Sequence, residues 1–177
     1  MFKAPVALTQ LIRPIKFRLE ITIPTFKSMW MWPEEEKVSS AHIESMISAA
    51  IHEIYRRKKD ISPYAMAVIL GAFGEALSNA SEHGNQSQTS KKIVVRCWFG
   101  EKGIIFSFRD EGNFFKKTKN KKAVESQTIL PSTKKKPSGA GMLLVYNADV
   151  IYVSTRQNTL YLAFTDVLDK TAEKETE

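Results

Sequence analysis

The 177-residue chain contains a single cysteine, Cys97. One thiol can form no internal disulfide and cannot supply a multi-cysteine zinc site. No apolar run approaches the ~20 residues that a bilayer-spanning helix requires. The opening "MFKAPVALTQLIRPIK" holds only a short apolar stretch, interrupted by Thr9 and Gln10, and does not read as a secretory signal. The sequons in "NAS" and "NQS" are therefore read as chance, and a cytoplasmic location with no membrane span is expected. No internal repeat is visible. What is present is ordinary for a globular chain: 43% hydrophobic and 25% charged residues, enough to build the core of one domain at this length.

Charge is the first departure from the ordinary. The net charge of +7 and pI near 9.4 favour an anionic partner. Almost all of it sits in "KKTKNKKAVESQTILPSTKKK", residues 116–136, where eight lysines accompany one acid, Glu125. The rest of the chain is neutral in sum. This distribution describes one basic loop rather than a DNA-binding surface, and no direct nucleic-acid contact is expected.

Alternation of apolar and polar residues marks strands at 16–23, 92–99, 103–109, 150–155 and 159–165. In "KIVVRCWF", Ile93, Val95, Cys97 and Phe99 share one side, which makes Cys97 a core thiol. The pairs 92–99/103–109 and 150–155/159–165 are close enough in sequence to form hairpins. Strands with one wetter side imply a mainly antiparallel sheet covered on one face. Three helices are expected to cover it, over 40–58, from Ser62-Pro63 to about His83, and over 140–148. Ser62 supplies a cap and Pro63 suits the first helical position; Gly84 suits a left-handed helix end. The second helix carries a core stripe of Met66, Leu70, Phe73, Leu77 and Ala80, with Glu75, Asn79 and Glu82 on the far side. The result is an α/β two-layer sandwich of about five strands and three helices, with an N-terminal extension (1–15), a domain over 16–167 and a charged tail (168–177). "MWMW" at 29–32 reads equally as a core plug or a partner-docking patch.

Three clusters on this frame carry chemistry. Glu75 and Asn79 are an i,i+4 pair, neighbours on one helix face. An asparagine carbonyl is a hard ligand suited to Mg²⁺, and a carboxylate one turn away can accept a proton or orient a water; the plain alternative is a solvated face. In "FRDEGNF", Asp110 can accept a hydrogen bond from an exocyclic amine, and Gly112 leaves room for a ring; the alternative is an ordinary turn. In "PSGAGML", Gly139 and Gly141 flank a helix start, where free N–H groups favour phosphate.

In this order and on these elements, the clusters resemble the Bergerat nucleotide-binding fold of the GHKL ATPases, which includes gyrase B and the catalytic domains of histidine kinases. "GEALSNASEHGN" is most similar to the Glu-Ala-x-x-Asn-Ala-x-x-His-Gly helix of the anti-sigma factor serine-protein kinases. "RDEG" resembles their Arg-Asp-x-Gly, "GAGMLLV" their glycine-rich stretch, and Thr159 the threonine opening their last strand. The resemblance spans about residues 16–165. It implies ATP and Mg²⁺ as ligands, with Asn79 on the metal, Glu75 as general base, Asp110 on the adenine amine and Thr159 assisting through a water. Gly112 would line the base pocket, and Gly139 and Gly141 would admit the phosphates. Residues 113–138 would be a lid over the nucleotide. The partners implied are a sigma factor and an antagonist protein that receives phosphate on serine; a homodimer is compatible with the pattern.

The family's Asp-x-Gly-x-Gly reads Asp110-Glu111-Gly112-Asn113-Phe114 here, so a phenylalanine stands for the second glycine. That substitution leaves the adenine and metal contacts in place and puts nucleotide binding ahead of turnover. The alternative function is thus a catalytically inactive, nucleotide-gated binding module of the same fold.

Eight like charges within 21 residues repel one another and bury little, so segment 116–136 is expected to be mobile until a polyanion arrives. Limited trypsin digestion should cut within it readily in the absence of ligand and more slowly at saturating Mg-ATP. Unchanged cleavage kinetics would assign the lysines to another partner.

Overall fold

The structure is a computed structural model that describes residues 6–26, 34–55, 61–112, 147–154 and 157–165. In chain order the elements are α1 (Val6–Leu11), β1 (Ile15–Pro24), α2 (Glu34–Tyr55), α3 (Pro63–Asn79), β2 (Lys92–Gly100), β3 (Gly103–Asp110), β4 (Val150–Ser154) and β5 (Thr159–Thr165). A π-helical turn, Ala80–Gly84, continues α3 without a break. The strands form one antiparallel sheet in the order β1-β2-β3-β5-β4. This is the expected α/β sandwich with a five-stranded antiparallel sheet.

Each main helix begins or packs for a local reason. Ser62 Oγ accepts the Ala65 N–H at 3.1 Å and Pro63 opens α3, satisfying one donor that a helix start leaves unpaired. Along α2 the buried stripe is Ile43, Ile47, Ile51 and Tyr55, one residue per turn. Along α3 it is Ile69, Ala72, Phe73, Ala76 and Leu77, continuing to Ala80 in the π-turn. Met66 and Leu70 are only partly buried, so the core stripe is rotated from the one the periodicity suggests. The small residues Ala72 and Ala76 let the helix sit close to the sheet. There Phe73 meets Phe106 and Phe108 with ring centroids 5.2 and 5.1 Å apart, separations at which aromatic pairs are favourable. Ile93, Val95, Cys97 and Phe99 of β2 face the same core. Burial pushes the Cys97 thiol up to about 12, so it stays protonated and packs as an apolar group.

The second face of the sheet is not bare. Trp98, Ile105, Tyr161 and Ala163, side chains pointing away from α2 and α3, form a separate apolar cluster with Leu8 and Ile12. Thus α1 and the turn after it, which fall within what the sequence pattern leaves as an N-terminal extension, lie against the sheet. The physical reason is area: Trp98 alternates with charged residues in β2, yet it stands beside Ile105 and near Tyr161 once the strands pair. Such a patch is more stable covered than wet. Tyr55 ties the main core to the β2–β3 turn, its hydroxyl donating to the carbonyls of Gly100 (2.7 Å) and Gly103 (2.9 Å).

The expected third helix lies mostly outside the described residues; Asn147 and Ala148 form a turn that leads into β4. The lid segment 113–138, the tail 168–177 and "MWMW" also lie outside them. No described helix is long and apolar enough to cross a membrane.

The docking of α1 generates a stability test. Ile12 is fully buried, and removing such a side chain leaves a cavity, so Ile12→Ala should lower unfolding free energy by about 2–5 kcal/mol. Urea denaturation checks this, and a change below about 0.5 kcal/mol, the level of an ordinary surface substitution, would mean that the segment is not part of the folded domain.

Candidate nucleotide-binding site

Asp110 ends β3 at the point where the chain leaves the sheet, and it is only 6% exposed. Its Oδ1 accepts the Gly112 N–H at 2.8 Å and a hydrogen bond from Asn158 Nδ2. The same Asn158 nitrogen donates to the Asp110 carbonyl at 3.1 Å. Oδ2 has no hydrogen-bond partner among the described residues. Burial raises the carboxyl above its ordinary range, opposed by the hydrogen bonds from Gly112 and Asn158, by its own backbone N–H and by the positive charge of Lys91. A carboxylate held through one oxygen and open at the other is an acceptor awaiting a donor.

Two glycines make this arrangement sterically allowed. A β-carbon on Gly84 would lie 2.5 Å from Asp110 Oδ2, and one on Gly112 would lie 1.6 Å from the Gly84 carbonyl oxygen. Neither gap can admit a side chain. Gly84 reaches this place through the π-helical turn, closed by the Asn85 N–H donating to the Ala80 carbonyl at 2.9 Å, five residues back. One extra residue per turn shifts everything after Asn79 around the axis, a device common at functional sites. The left-handed helix end expected of Gly84 is therefore not formed; the positive φ angles fall at Gln86 and Ser87. What Gly84 contributes is the absence of a β-carbon.

Asn85 locks the assembly from beneath. It is fully buried, its amide nitrogen donates to Thr25 Oγ1 (2.6 Å) and the Lys92 carbonyl (3.0 Å), and its oxygen accepts the Glu111 N–H (2.7 Å). It thereby joins the end of β1, the start of β2 and the turn after Asp110. Ser81, also fully buried, accepts the Phe26 N–H at 3.0 Å and donates to the Phe26 carbonyl. The π-turn is thus bolted to the chain that follows β1.

On α3, Glu75 and Asn79 are half-buried and joined, Asn79 Nδ2 donating to Glu75 Oε1 at 3.0 Å. Glu82 is outside that pair: its Oε1 accepts the Ser78 hydroxyl at 3.0 Å. Thr159 opens β5 opposite Arg109, the residue before Asp110, and is 2% exposed, its hydroxyl donating to the Gln157 carbonyl at 3.0 Å. Asp110, Gly112 and Thr159 are therefore brought to one end of the sheet. The Glu75–Asn79 pair lies upstream on the helix that delivers Gly84 there. Gly139, Gly141 and Phe114 lie outside the described residues.

Residues 38–164 match the family model of the histidine kinase-like ATPase domain. The chain belongs to that family. Membership implies ATP binding, and the Asp110 oxygen left without a partner suits a base bearing a donor. No curated protein matches the chain. In this ATPase domain, sequence reasoning passed over Asn85 and Asn158. Asn85 stands at the end of the quoted helix motif with nothing to distinguish it from a capping residue. Asn158 lies in a hairpin turn where its tolerance of positive φ explains it; its link to Asp110 spans 48 residues and follows only from strand pairing.

The state of Asp110 separates stability from binding. A carboxyl whose folded-state value is raised contributes stability at low pH that is lost as pH climbs from the ordinary range near 3.8 through the folded value. Asp110→Asn keeps an oxygen for Gly112 and Asn158 but carries no charge to desolvate. Thermal melts should find the variant more stable than wild type at neutral pH, the gap closing below about pH 4. ATP affinity should instead fall on the order of tenfold or more, because an amide N–H₂ can meet the base amine donor to donor. Loss in both quantities would assign Asp110 a structural role.

Proposed function

We propose that this ATPase domain acts as a regulatory protein kinase of the anti-sigma factor kind, holding a sigma factor or similar target in the cytoplasm and phosphorylating a serine on an antagonist protein. The observation that carries the reading is the buried Asp110 carboxylate, pinned through Oδ1, open at Oδ2 and bordered by two glycines. Such a group selects adenine, whose 6-amino group donates, over guanine, which has a carbonyl there. Thr159 supports the base through a water.

The Glu75–Asn79 pair supplies the chemistry. The amide nitrogen of Asn79 is turned toward Glu75, which leaves its Oδ1 as a hard oxygen ligand for Mg²⁺. That ion commonly takes one or two protein ligands and completes its shell with waters and substrate phosphates; when bound, it neutralises phosphate charge. The same hydrogen bond holds Oε1 of Glu75 and leaves Oε2 for the substrate. Glu75 takes the proton of the serine hydroxyl as the serine oxygen bonds to the γ-phosphorus, and the bond from that phosphorus to the bridging oxygen breaks toward ADP. Gly139 and Gly141 admit the phosphates, and the lysines of 116–136 add positive charge.

A second reading has its own support in Phe114, which stands for a glycine where the lid begins. In that reading the domain binds ATP to set its conformation and transfers no phosphate.

Calorimetric titration with Mg-ATP, followed by incubation with labelled ATP and the antagonist protein, tests both. Asn79→Ala should weaken Mg-ATP binding and leave metal-free ATP little affected. Glu75→Gln should spare binding and lower phosphotransfer by roughly 10²–10⁴-fold. Binding that depends on Asn79, with no transfer by wild type, would replace the kinase with the nucleotide-gated module. Indifference of ATP affinity to Asn79→Ala would remove the pair from the site.

A further inference from the structure

Asn158 carries more than a turn requires. It adopts φ +50° before β5 and is 8% exposed. Glycine would serve that backbone without strain, so the conformation does not call for an amide. The amide nitrogen is committed twice to Asp110, to its carbonyl oxygen and to Oδ1. With Gly112 donating to the same Oδ1, both lone pairs of that oxygen are occupied. At the other end of the amide, Asn158 Oδ1 is buried and has no hydrogen-bond partner among the described residues. Leaving a buried carbonyl unpaired is unfavourable, and it is tolerated where a ligand completes the pairing.

We propose that Asn158 is a specificity-determining residue of the nucleotide pocket, pinning one oxygen of Asp110 so that the other meets an exocyclic amine, and offering its own Oδ1 as a further acceptor. The inference rests on the reading of Asp110 as the base-recognition residue and deepens it. The ligand class it selects is a purine nucleotide with a 6-amino group, as opposed to a purine with a carbonyl or hydrogen there. The selectivity resides in two side chains from two strands, Asp110 at the end of β3 and Asn158 at the entrance to β5.

The test compares Mg-ATP with the Mg complex of purine riboside 5′-triphosphate, which lacks the 6-amino group, by titration of the full chain. Two variants are used. Asn158→Gly keeps the left-handed backbone and deletes the amide. Asn158→Asp keeps size and tolerates the same φ but cannot donate to Asp110 when ionised. Wild type should prefer ATP. In both variants that preference should shrink on the order of tenfold, ATP falling toward the affinity of the amine-free analogue while the analogue itself changes little. A variant that weakens both nucleotides equally, or keeps the wild-type ratio, overturns the role of Asn158 and leaves Asp110 in place. A wild type that binds both nucleotides equally, or neither, overturns the base-recognition reading and this inference with it.

Discussion

The contact on which the site depends is between backbones: the Gly84 carbonyl lies where a β-carbon of Gly112 would be, and Gly84 itself packs on the Asp110 carboxyl. Helix and sheet approach here more closely than side chains allow. The side of Asp110 that faces the helix is held through that approach, while Asn158 reaches it by strand pairing. The turn after β3 must fold tightly to bring the Gly112 N–H to Oδ1, and the π-turn must widen the helix so that Gly84 faces it. Asn85 and Ser81 must then fix both against β1 and β2. A local shift in any of these segments would open the space and expose the carboxylate to water, where it would lose its raised affinity for a proton and its fixed direction.

The rigidity behind this contact comes from a sheet packed on both faces. Helices α2 and α3 cover the face centred on Phe73, Phe106 and Phe108, and α1 covers part of the other around Trp98 and Tyr161. The central strand β3 is buried on both sides through most of its length, so its final residue is held by packing before any hydrogen bond is counted. Positioning a binding group at the end of a buried strand is more precise than placing it on a free loop. The same placement disfavours the charge of Asp110.

Much of the fold was legible in one sequence because strand alternation and helix periodicity report burial directly. The five strands, α3 with its Ser62–Pro63 start, and the pairing of Glu75 with Asn79 were read from spacing alone. The α3 core stripe was read one step out of rotation because Met66 and Leu70 are larger than Ala72 and Ala76, whereas close approach to the sheet favours the small residues. The covering of the second face by α1 has no clear pattern in the sequence because Trp98 shares its side of β2 with Lys92, Val94 and Arg96, and Ile105 its side of β3 with Gly103, Ser107 and Arg109. Trp98, Ile105 and Tyr161 become a patch only across strands.

The sequence by itself determined the class of fold, the family through its ordered motifs, and the identity of Asp110, Glu75 and Asn79 as chemically equipped residues, since these depend on residue type at short spacing. Only the tertiary structure decided how Asp110 is held. The π-turn that delivers Gly84 and the strand pairing that sets Asn158 beside a carboxylate 48 residues earlier have no local signature. Hydrogen bonds between distant segments depend on where the packed core puts their ends, and a linear pattern carries that information only in sum.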